Sequence, residues 1–421
     1  MTPTSDIKWL YLDVNSYFAS VEQQMNPALR GRPVAVVPVM TDSTCAIAAS
    51  YEAKAFGVKT GMPIWEVKKL CPDIRLVAAR HDLYVRFHHR IVEEIEKHVP
   101  VTRVLSIDEV ACALIGRERI RDNALSLGRK IKRGLIEKAG TCLRCSVGLA
   151  PTRLLAKIAC NLKKPDGLTA IELHELPDKL LALDLRDLPG IGANMERRLR
   201  RAGIDSIAAL WAISPKHARK IWGGVTGERF WYDLHGVDLP ERETVRRSIG
   251  HARVLAPDYR QPDQARLVAR RLILKASSRL RRLGHLAAAL GLQVKLENNS
   301  RWDGELRLYQ CQDTFTLLGG LERLWQGFAT QHGIARIKRV AVTLHRLTPI
   351  SAAVADLFGA DPNVPDGDNN RRTKLSAAMD RINHRYGRDM VSFGKLPRTG
   401  MDFIGAKVAF TRIPELAEFS E

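Results

Sequence analysis

Short apolar runs of strand length alternate with longer stretches of helical spacing through the first 175 residues, which restricts that part of the chain to an α/β or α+β core. Residues 7–14 (IKWLYLDV) predict a buried strand ending in a carboxylate, and a helix-like stretch follows through Glu22. Residues 33–39 predict a second strand and 40–44 a polar turn. Residues 45–50 lead into a helical stretch that ends near Gly57. The segment 82–98 has helical apolar spacing, with Asp82 as a candidate cap. Residues 101–105 are strand-like and run into Ser106-Ile107-Asp108-Glu109, after which 110–115 resume the apolar run. The acidic pair is therefore expected at a hairpin or a strand end. A helix over 119–138, a strand over 145–150, a helix over 152–162 and a turn at Lys164-Pro165-Asp166-Gly167 complete this region.

From about 176 to 240 the pattern turns helical and basic. From 245 to 347 the order is strand (248–254), helix (264–283), strand (287–296), strand (304–310), helix (313–328) and strand (336–345). That βαββαβ order predicts a separate small sheet with two helices on one face. Residues 359–372 are rich in Asp, Asn, Pro and Gly and are read as a linker, with one more helical stretch at 374–385. A chain of 421 residues has room for about three domains. Its net charge of +20 favours a polyanionic partner, nucleic acid before an anionic membrane. No apolar run is long enough for a membrane span, and the N-terminus lacks a secretory pattern. Seven cysteines, an odd number, read as reduced cytoplasmic thiols; Cys142 and Cys145 form a CxxC with no second ligand pair for zinc and are expected to be structural.

Asp13 closes one apolar strand, and Asp108 and Glu109 interrupt another. Carboxylates at strand ends that point into a core need compensation. A divalent cation is one compensation, since Mg²⁺ is held by one or two carboxylates together with substrate phosphates. Capping a turn or facing solvent is the other reading that spacing allows.

The words around these acids narrow the choice. Asp13-Val14-Asn15-Ser16-Tyr17-Phe18-Ala19-Ser20-Val21-Glu22 resembles the first signature of the Y-family translesion DNA polymerases, and Ser106-Ile107-Asp108-Glu109 their second. Ser50-Tyr51-Glu52-Ala53-Lys54-Ala55-Phe56-Gly57-Val58 resembles the nucleotide-contacting stretch of their fingers. Gly148-Leu149-Ala150-Pro151-Thr152-Arg153-Leu154-Leu155-Ala156-Lys157, followed by Lys164-Pro165-Asp166-Gly167, resembles their last palm signature. The four stand in the family's order, and the resemblance spans about 7–347.

The resemblance implies an α+β multidomain right hand: palm at 1–18 and 82–175, small fingers at 19–81, a helical helix-hairpin-helix thumb at 176–240, a βαββαβ little finger at 245–347 and a C-terminal tail at 348–421. It implies a template-directed, low-fidelity DNA polymerase, acting in lesion bypass and the SOS response, that joins a dNTP to a primer 3′-hydroxyl. Asp13, Asp108 and Glu109, with the main-chain carbonyl of Val14, are then the ligands of two Mg²⁺ ions. Tyr17, Phe18, Tyr51, Lys54 and Lys164 become nucleotide contacts, with Phe18 as a steric gate against a 2′-hydroxyl. Outside the motif Lys54 and Lys164 would be ordinary solvated lysines, and Phe18 a core ring beside Tyr17. The chain departs from the family at Lys54, where Arg is common, at Ala48, where a hydroxyl residue is frequent, and at Thr152-Arg153, which replaces Asn-Lys.

Leu188-Pro189-Gly190-Ile191-Gly192 looks like the hairpin of a helix-hairpin-helix, in which Gly190 and Gly192 let the backbone approach phosphates; a plain packing turn is the alternative. Arg247, Arg253, Arg336, Lys338 and Arg339 lie in or beside strands of the small sheet and are candidates for sequence-independent contact with a DNA backbone. Val354-Ala355-Asp356-Leu357-Phe358 resembles a sliding-clamp-binding peptide without its leading Gln, and 375–388 resembles a C-terminal element of some SOS-mutagenesis relatives. Primer-template DNA, damaged DNA included, dNTP and a clamp are the partners expected of a cytoplasmic monomer. A polymerase-fold accessory protein that recruits other polymerases, and a DNA-binding module without nucleotide chemistry, are the rival readings.

Overall fold

The apolar run at 7–14 forms β1 (Trp9–Val14), and α1 (Tyr17–Met25) begins just past Asn15 and Ser16. Next come β2 (Val34–Val37), β3 (Ala48–Ala49), α2 (Tyr51–Ala55), α3 (Ile64–Leu70) and β4 (Arg75–Ala78), a small layer with strand order β3-β2-β4. Then α4 (His81–Glu96), β5 (Arg103–Val104), β6 (Glu109–Ala113), α5 (Arg121–Lys138), β7 (Cys145–Ala150), α6 (Arg153–Leu162) and β8 (Leu168–Ala170) complete a five-stranded sheet. Its order is β5-β6-β1-β7-β8. Four helices follow: α7 (Ala193–Arg201), α8 (Ile207–Ala212), α9 (Pro215–Trp222) and α10 (Val225–Leu234). This computed structural model describes residues 7–42, 44–241, 245–333, 335–352, 368–387, 390–394 and 413–419. They fall into two units, 7–241 with 413–419 and 245–394.

The five-stranded sheet is covered on both faces, and for that reason β1 and β7 read as unbroken apolar runs. Leu10, Leu12 and Val14 pack with Tyr84, Ile91, Ile95, Ile131 and Leu135 from α4 and α5. Tyr11 points the other way, with Ala111, Ala150, Leu155 and Ile158, into a core that continues to Leu199 and Leu234 of the later helices. Gly148 on β7 has no room for a side chain: a Cβ there would strike the Ala156 carbonyl and the Cys160 amide. That contact seats α6 directly on the sheet. All seven cysteines are free thiols.

In the second unit β9 (Ser248–Val254), α11 (Pro262–Arg282), β10 (His285–Leu296), β11 (Arg301–Cys311), α12 (Thr314–His332) and β12 (Ile337–Pro349) reproduce the expected βαββαβ order. The sheet order is β11-β10-β12-β9, antiparallel throughout. Leu290, Leu292, Val342 and Leu344 face Leu272, Ile273, Leu321 and Phe328 of the two helices, which leaves the opposite face of the sheet open. A further helix, α13 (Asp368–Tyr386), lies against α11 and α12. Arg281 grips Asp380 with two bonds, 2.6 and 2.9 Å, and Ser376 Oγ accepts the Thr314 amide at 3.1 Å. The helix begins inside the stretch read as a linker, because beyond Gly367 the run has neither Pro nor Gly and Asp368 suits a helix N-terminus. The clamp-like stretch Val354 to Phe358 lies outside the described residues. No described helix is long and apolar enough to cross a membrane.

Candidate active site

Strand register brings the distant acids together. Asp13 of β1 lies directly opposite Glu109 of β6, and the Val14 amide donates to the Asp108 carbonyl at 2.9 Å. Asp13 shares strand parity with Tyr11, and Glu109 with Ala111, so both carboxylates leave the sheet on the face that α6 covers. Asp13 is only 8% exposed.

Each acid already has a protein donor. Lys164 Nζ donates to Asp13 Oδ2 at 2.5 Å, Lys157 Nζ to Glu109 Oε1 at 2.5 Å, and Ser106 Oγ to Asp108 Oδ1 at 2.5 Å. Burial pushes the Asp13 carboxyl up to about 6 against the pull of Lys164, with Asp108 and Glu109 adding to the rise. Burial likewise raises Asp108. Glu109 is half-buried; burial would raise its carboxyl, but the hydrogen bond and charge of Lys157 hold it below the usual carboxylate range. Acids held against their charged form by burial and by each other are the group a divalent cation relieves. All the donors are oxygens, which suits a hard ion. Among the described residues no three His, Cys, Asp or Glu side chains are grouped so as to hold a metal ion by themselves. Mg²⁺ sites seldom have such a group, since the ion keeps places for waters and substrate phosphates. The residues present fit such an ion.

A cationic and aromatic wall adjoins the acids. Lys54 Nζ donates to Ser16 Oγ at 2.8 Å and lies 4.3 Å above the Tyr51 ring. Burial lowers the Lys54 ammonium pKa and the charge of Lys164 lowers it further, so the two lysines face a common space. Burial also lowers Lys164, but the charge and hydrogen bond of Asp13 outweigh it and leave the ammonium above its ordinary value. Phe18 is half-buried and stacks on Tyr84 with ring centroids 4.2 Å apart and a 14° tilt, while His81 meets its edge. Tyr84 is in turn fixed by its hydroxyl on Glu22 at 2.7 Å. Phe18 is thus a braced ring with one side occupied. Tyr17 has a different place from the one expected. It is buried, and its hydroxyl donates to the Tyr84 carbonyl at 2.6 Å, so its side chain is a core group.

Sequence reasoning gave no role to Lys157, Ser106 or His88. Lys157 is the one cation in the apolar helix run Leu154 to Cys160, and a lysine so placed needs an acid; that signal was available. His88 is buried on α4 and its Nδ1 donates to the Ile107 carbonyl at 2.8 Å, which ties down the residue before Asp108. Burial lowers its pKa.

The candidate DNA contacts separate into groups. Gly190 has φ +94° with open space around it, and Gly192 starts α7 with no side-chain cap, so amides at that helix start are left for an outside acceptor. Arg247 and Arg336 are exposed, although Arg336 Nε already donates to Glu297 at 3.1 Å. Lys338 reaches Asn299 at 3.5 Å. Arg339 is on the open face, in register with Lys295 on β10, which in turn pairs Arg301 on β11. That cross-strand row of cations includes two residues the sequence reading did not select. Arg253 is on the other face: it shares strand parity with buried Ile249, and burial and the charge of Arg271 on α11 lower its pKa. Arg266 and Arg270 of α11 pair with Glu322 of α12, so these helix cations act within the fold.

A two-sided sheet with clustered acids, a lysine wall and a helical region with a glycine-marked helix start define a nucleotidyl-transfer right hand, and comparison with known proteins agrees. The impB/mucB/samB family model matches 12–161, its C-terminal domain model 246–357, and the DNA polymerase-iota thumb domain model 186–238. The DNA polymerase IV of Moorella thermoacetica is 33% identical over 400 residues, covering 92% of this chain and 96% of that protein. That of Pelotomaculum thermopropionicum is 32% identical over 386 residues, covering 90% and 92%. Among solved structures, a Y-family DNA polymerase chimera, Dbh-Dpo4(243-245)-Dbh, superposes with a TM-score of 0.70 at 26% identity, covering 81% of this chain and 99% of that one. An insertion ternary complex of Dbh DNA polymerase gives 0.55 at 25%, with the same coverage.

The chain belongs to the impB/mucB/samB family, the Y-family DNA polymerases. It is a DNA-directed DNA polymerase of the translesion type, and the accessory-protein alternative is not favoured.

Proposed function

We propose that the chain extends a primer on template DNA, damaged template included, at the Asp13–Asp108–Glu109 cluster. The primer 3′-hydroxyl oxygen bonds to the α-phosphorus of a dNTP, the bond to the β,γ-diphosphate breaks, and pyrophosphate leaves. Asp13, Asp108, Glu109 and the Val14 carbonyl would hold two Mg²⁺ ions, which when bound lower the pKa of the hydroxyl and neutralise charge on the phosphates. Lys164, Lys54 and Tyr51 hold the triphosphate, the lysines as mobile point charges in place of a bidentate Arg fork. Phe18, stacked on Tyr84, closes the space a 2′-hydroxyl would need. The amides after Gly190 and the cations of the second unit's open sheet face carry the DNA backbone, reading charge and not sequence. In this reading the palm is 1–18 with 82–175, the fingers 19–81, the thumb 176–240 and the little finger 245–347. The observation that supports it most is the register pairing of Asp13 with Glu109, with Lys164 on Asp13. Primer extension with Mg²⁺ tests it: Asp108→Ala is expected to abolish extension while its circular dichroism spectrum and its affinity for primer-template DNA stay those of the parent. Parental turnover in that variant would overturn the assignment.

A further inference from the structure

The turn Lys164-Pro165-Asp166-Gly167 carries the Lys164 ammonium to Asp13, 151 residues away in sequence. A lysine head on a four-carbon stem is a mobile charge, so its place depends on how firmly its backbone is held. Little of that hold comes from the turn itself. Asp166 sits at φ +59°, a left-handed conformation that L-residues rarely adopt. The turn is fixed from outside. Asn15 Oδ1 accepts the Asp166 amide at 2.8 Å, and Ser146 Oγ accepts the Gly167 amide at 3.3 Å.

Arg144 Nη1 adds a bond to Asp166 Oδ2 at 3.3 Å, and most of the remaining hold converges on one group. Lys132, on α5, has a side chain only 17% exposed. Its Nζ donates to the Asp166 carbonyl at 2.6 Å, to Asp166 Oδ1 at 2.6 Å, to the Cys145 carbonyl at 2.8 Å and to the Gly167 carbonyl at 3.3 Å. Three of these four acceptors belong to the turn and the fourth opens β7, the strand beside Asp13. An ammonium offers three N–H bonds in a tetrahedral spread, which suits acceptors arriving from several directions; a planar guanidinium does not. Without it, the Asp166 carbonyl and Asp166 Oδ1 would lose their 2.6 Å donor, leaving the Gly167 carbonyl with the Val147 amide at 3.0 Å and the Asp166 carboxylate with Arg144 Nη1 at 3.3 Å. Lys132 itself touches none of the three acids.

We infer that Lys132 is a positioning residue for nucleotide binding, a buried cation that fixes the Lys164 turn and so sets where Lys164 meets the triphosphate. The inference rests on the reading of Lys164 as a triphosphate contact. Lys132 acts through Lys164, so its loss weakens dNTP binding and leaves the grip on DNA alone.

Single-turnover incorporation over a range of dNTP concentrations, with primer-template affinity measured separately, tests this on the full chain. Lys132→Met is expected to raise the dNTP Kd roughly tenfold, with a much smaller change in the maximal rate and none in DNA affinity. Lys164→Met raises the dNTP Kd further, and the Lys132→Met/Lys164→Met double variant is no worse than Lys164→Met alone. Asp166→Asn keeps the backbone bond to Asn15 and tolerates the left-handed φ, so it serves if Lys132→Met does not fold; it moves the dNTP Kd the same way by less. Unchanged nucleotide affinity in Lys132→Met or Asp166→Asn, with Lys164→Met impaired, would overturn the inference and leave the Lys164 reading standing. Losses that add in the double variant would also overturn it, as the mark of general destabilisation. Unchanged affinity in Lys164→Met would overturn both.

Discussion

The two large sheets of this polymerase use the same backbone pattern to opposite ends. The sheet around β1 is packed on both faces, and every residue of β7 is buried. Its carboxylates lie at strand ends, so its chemistry is concentrated in Asp13, Asp108 and Glu109 at one rim. The sheet of the second unit is packed on one face, and β11 alternates exposed and half-buried positions along its length. Its charges, Arg301, Lys295 and Arg339 among them, are spread over an open surface. Layering thus decides the style of function. A rim concentrates a few groups whose effects are large and interdependent; an open face distributes many whose effects are small and nearly additive.

Substitutions can break that contrast. At the rim, Asp13→Asn keeps the shape but removes a charge, and primer extension is expected to fall about a thousandfold, as measured by single-turnover incorporation. A loss of only a few-fold would mean that the rim is no more concentrated than the open face. Beside it, Phe18→Ala is expected to leave dNTP use largely intact and to reduce discrimination against the matching ribonucleotide by roughly 10- to 100-fold; competition between the two nucleotides on one primer reads this directly. On the open face, Arg339→Ala and Lys295→Ala should each weaken DNA binding only a few-fold and equally for any sequence. Each should also reduce the slope of log affinity against log salt by about one, as titrations at several ionic strengths would show. Arg253→Ala, by contrast, should leave the salt slope unchanged, because that side chain faces α11.

The smallest effect sharpens the comparison by leaving function aside. Burial pushes the Asp233 carboxyl on α10 up to about 6 against Arg229 and Arg153, helped by Asp238. The folded chain therefore holds that proton more tightly than the unfolded one, and stability falls as pH rises from about 4 to about 6. Asp233→Asn should raise the urea midpoint of the first unit above pH 6, with the gain vanishing near pH 4. A gain that grew toward acid would show that the pairing with Arg229 and Arg153 outweighs burial.

Much of this was legible in the residues because the two sheets leave different marks. Unbroken runs such as residues 9–14, and the alternation in 301–311, follow directly from coverage on two faces or one. The acids were legible because a carboxylate at the end of an apolar strand is costly without a partner. What escaped was whatever depends on contacts remote in sequence. Lys132 and His88 look like ordinary members of amphipathic helices until the fold shows which carbonyls they meet. Tyr17 carries suitable chemistry but points into the core from α1, and Arg253 faces α11 from β9, where a one-residue change of strand parity would turn it to the open face. The start of α13 was missed because Asp and Asn read as linker composition, although at a helix N-terminus they are favourable.

The account depends most on Asp13, Asp108 and Glu109 sharing divalent ions with a bound triphosphate. Crystals grown with primer-template DNA, a non-hydrolysable dNTP and Mn²⁺, measured at the manganese absorption edge, would test it most directly. Two anomalous peaks are expected within about 2.2 Å of oxygens from these carboxylates and from the triphosphate. Manganese bound to the triphosphate alone, with Asp13 still held by Lys164 and no ion against Asp108 or Glu109, would contradict it.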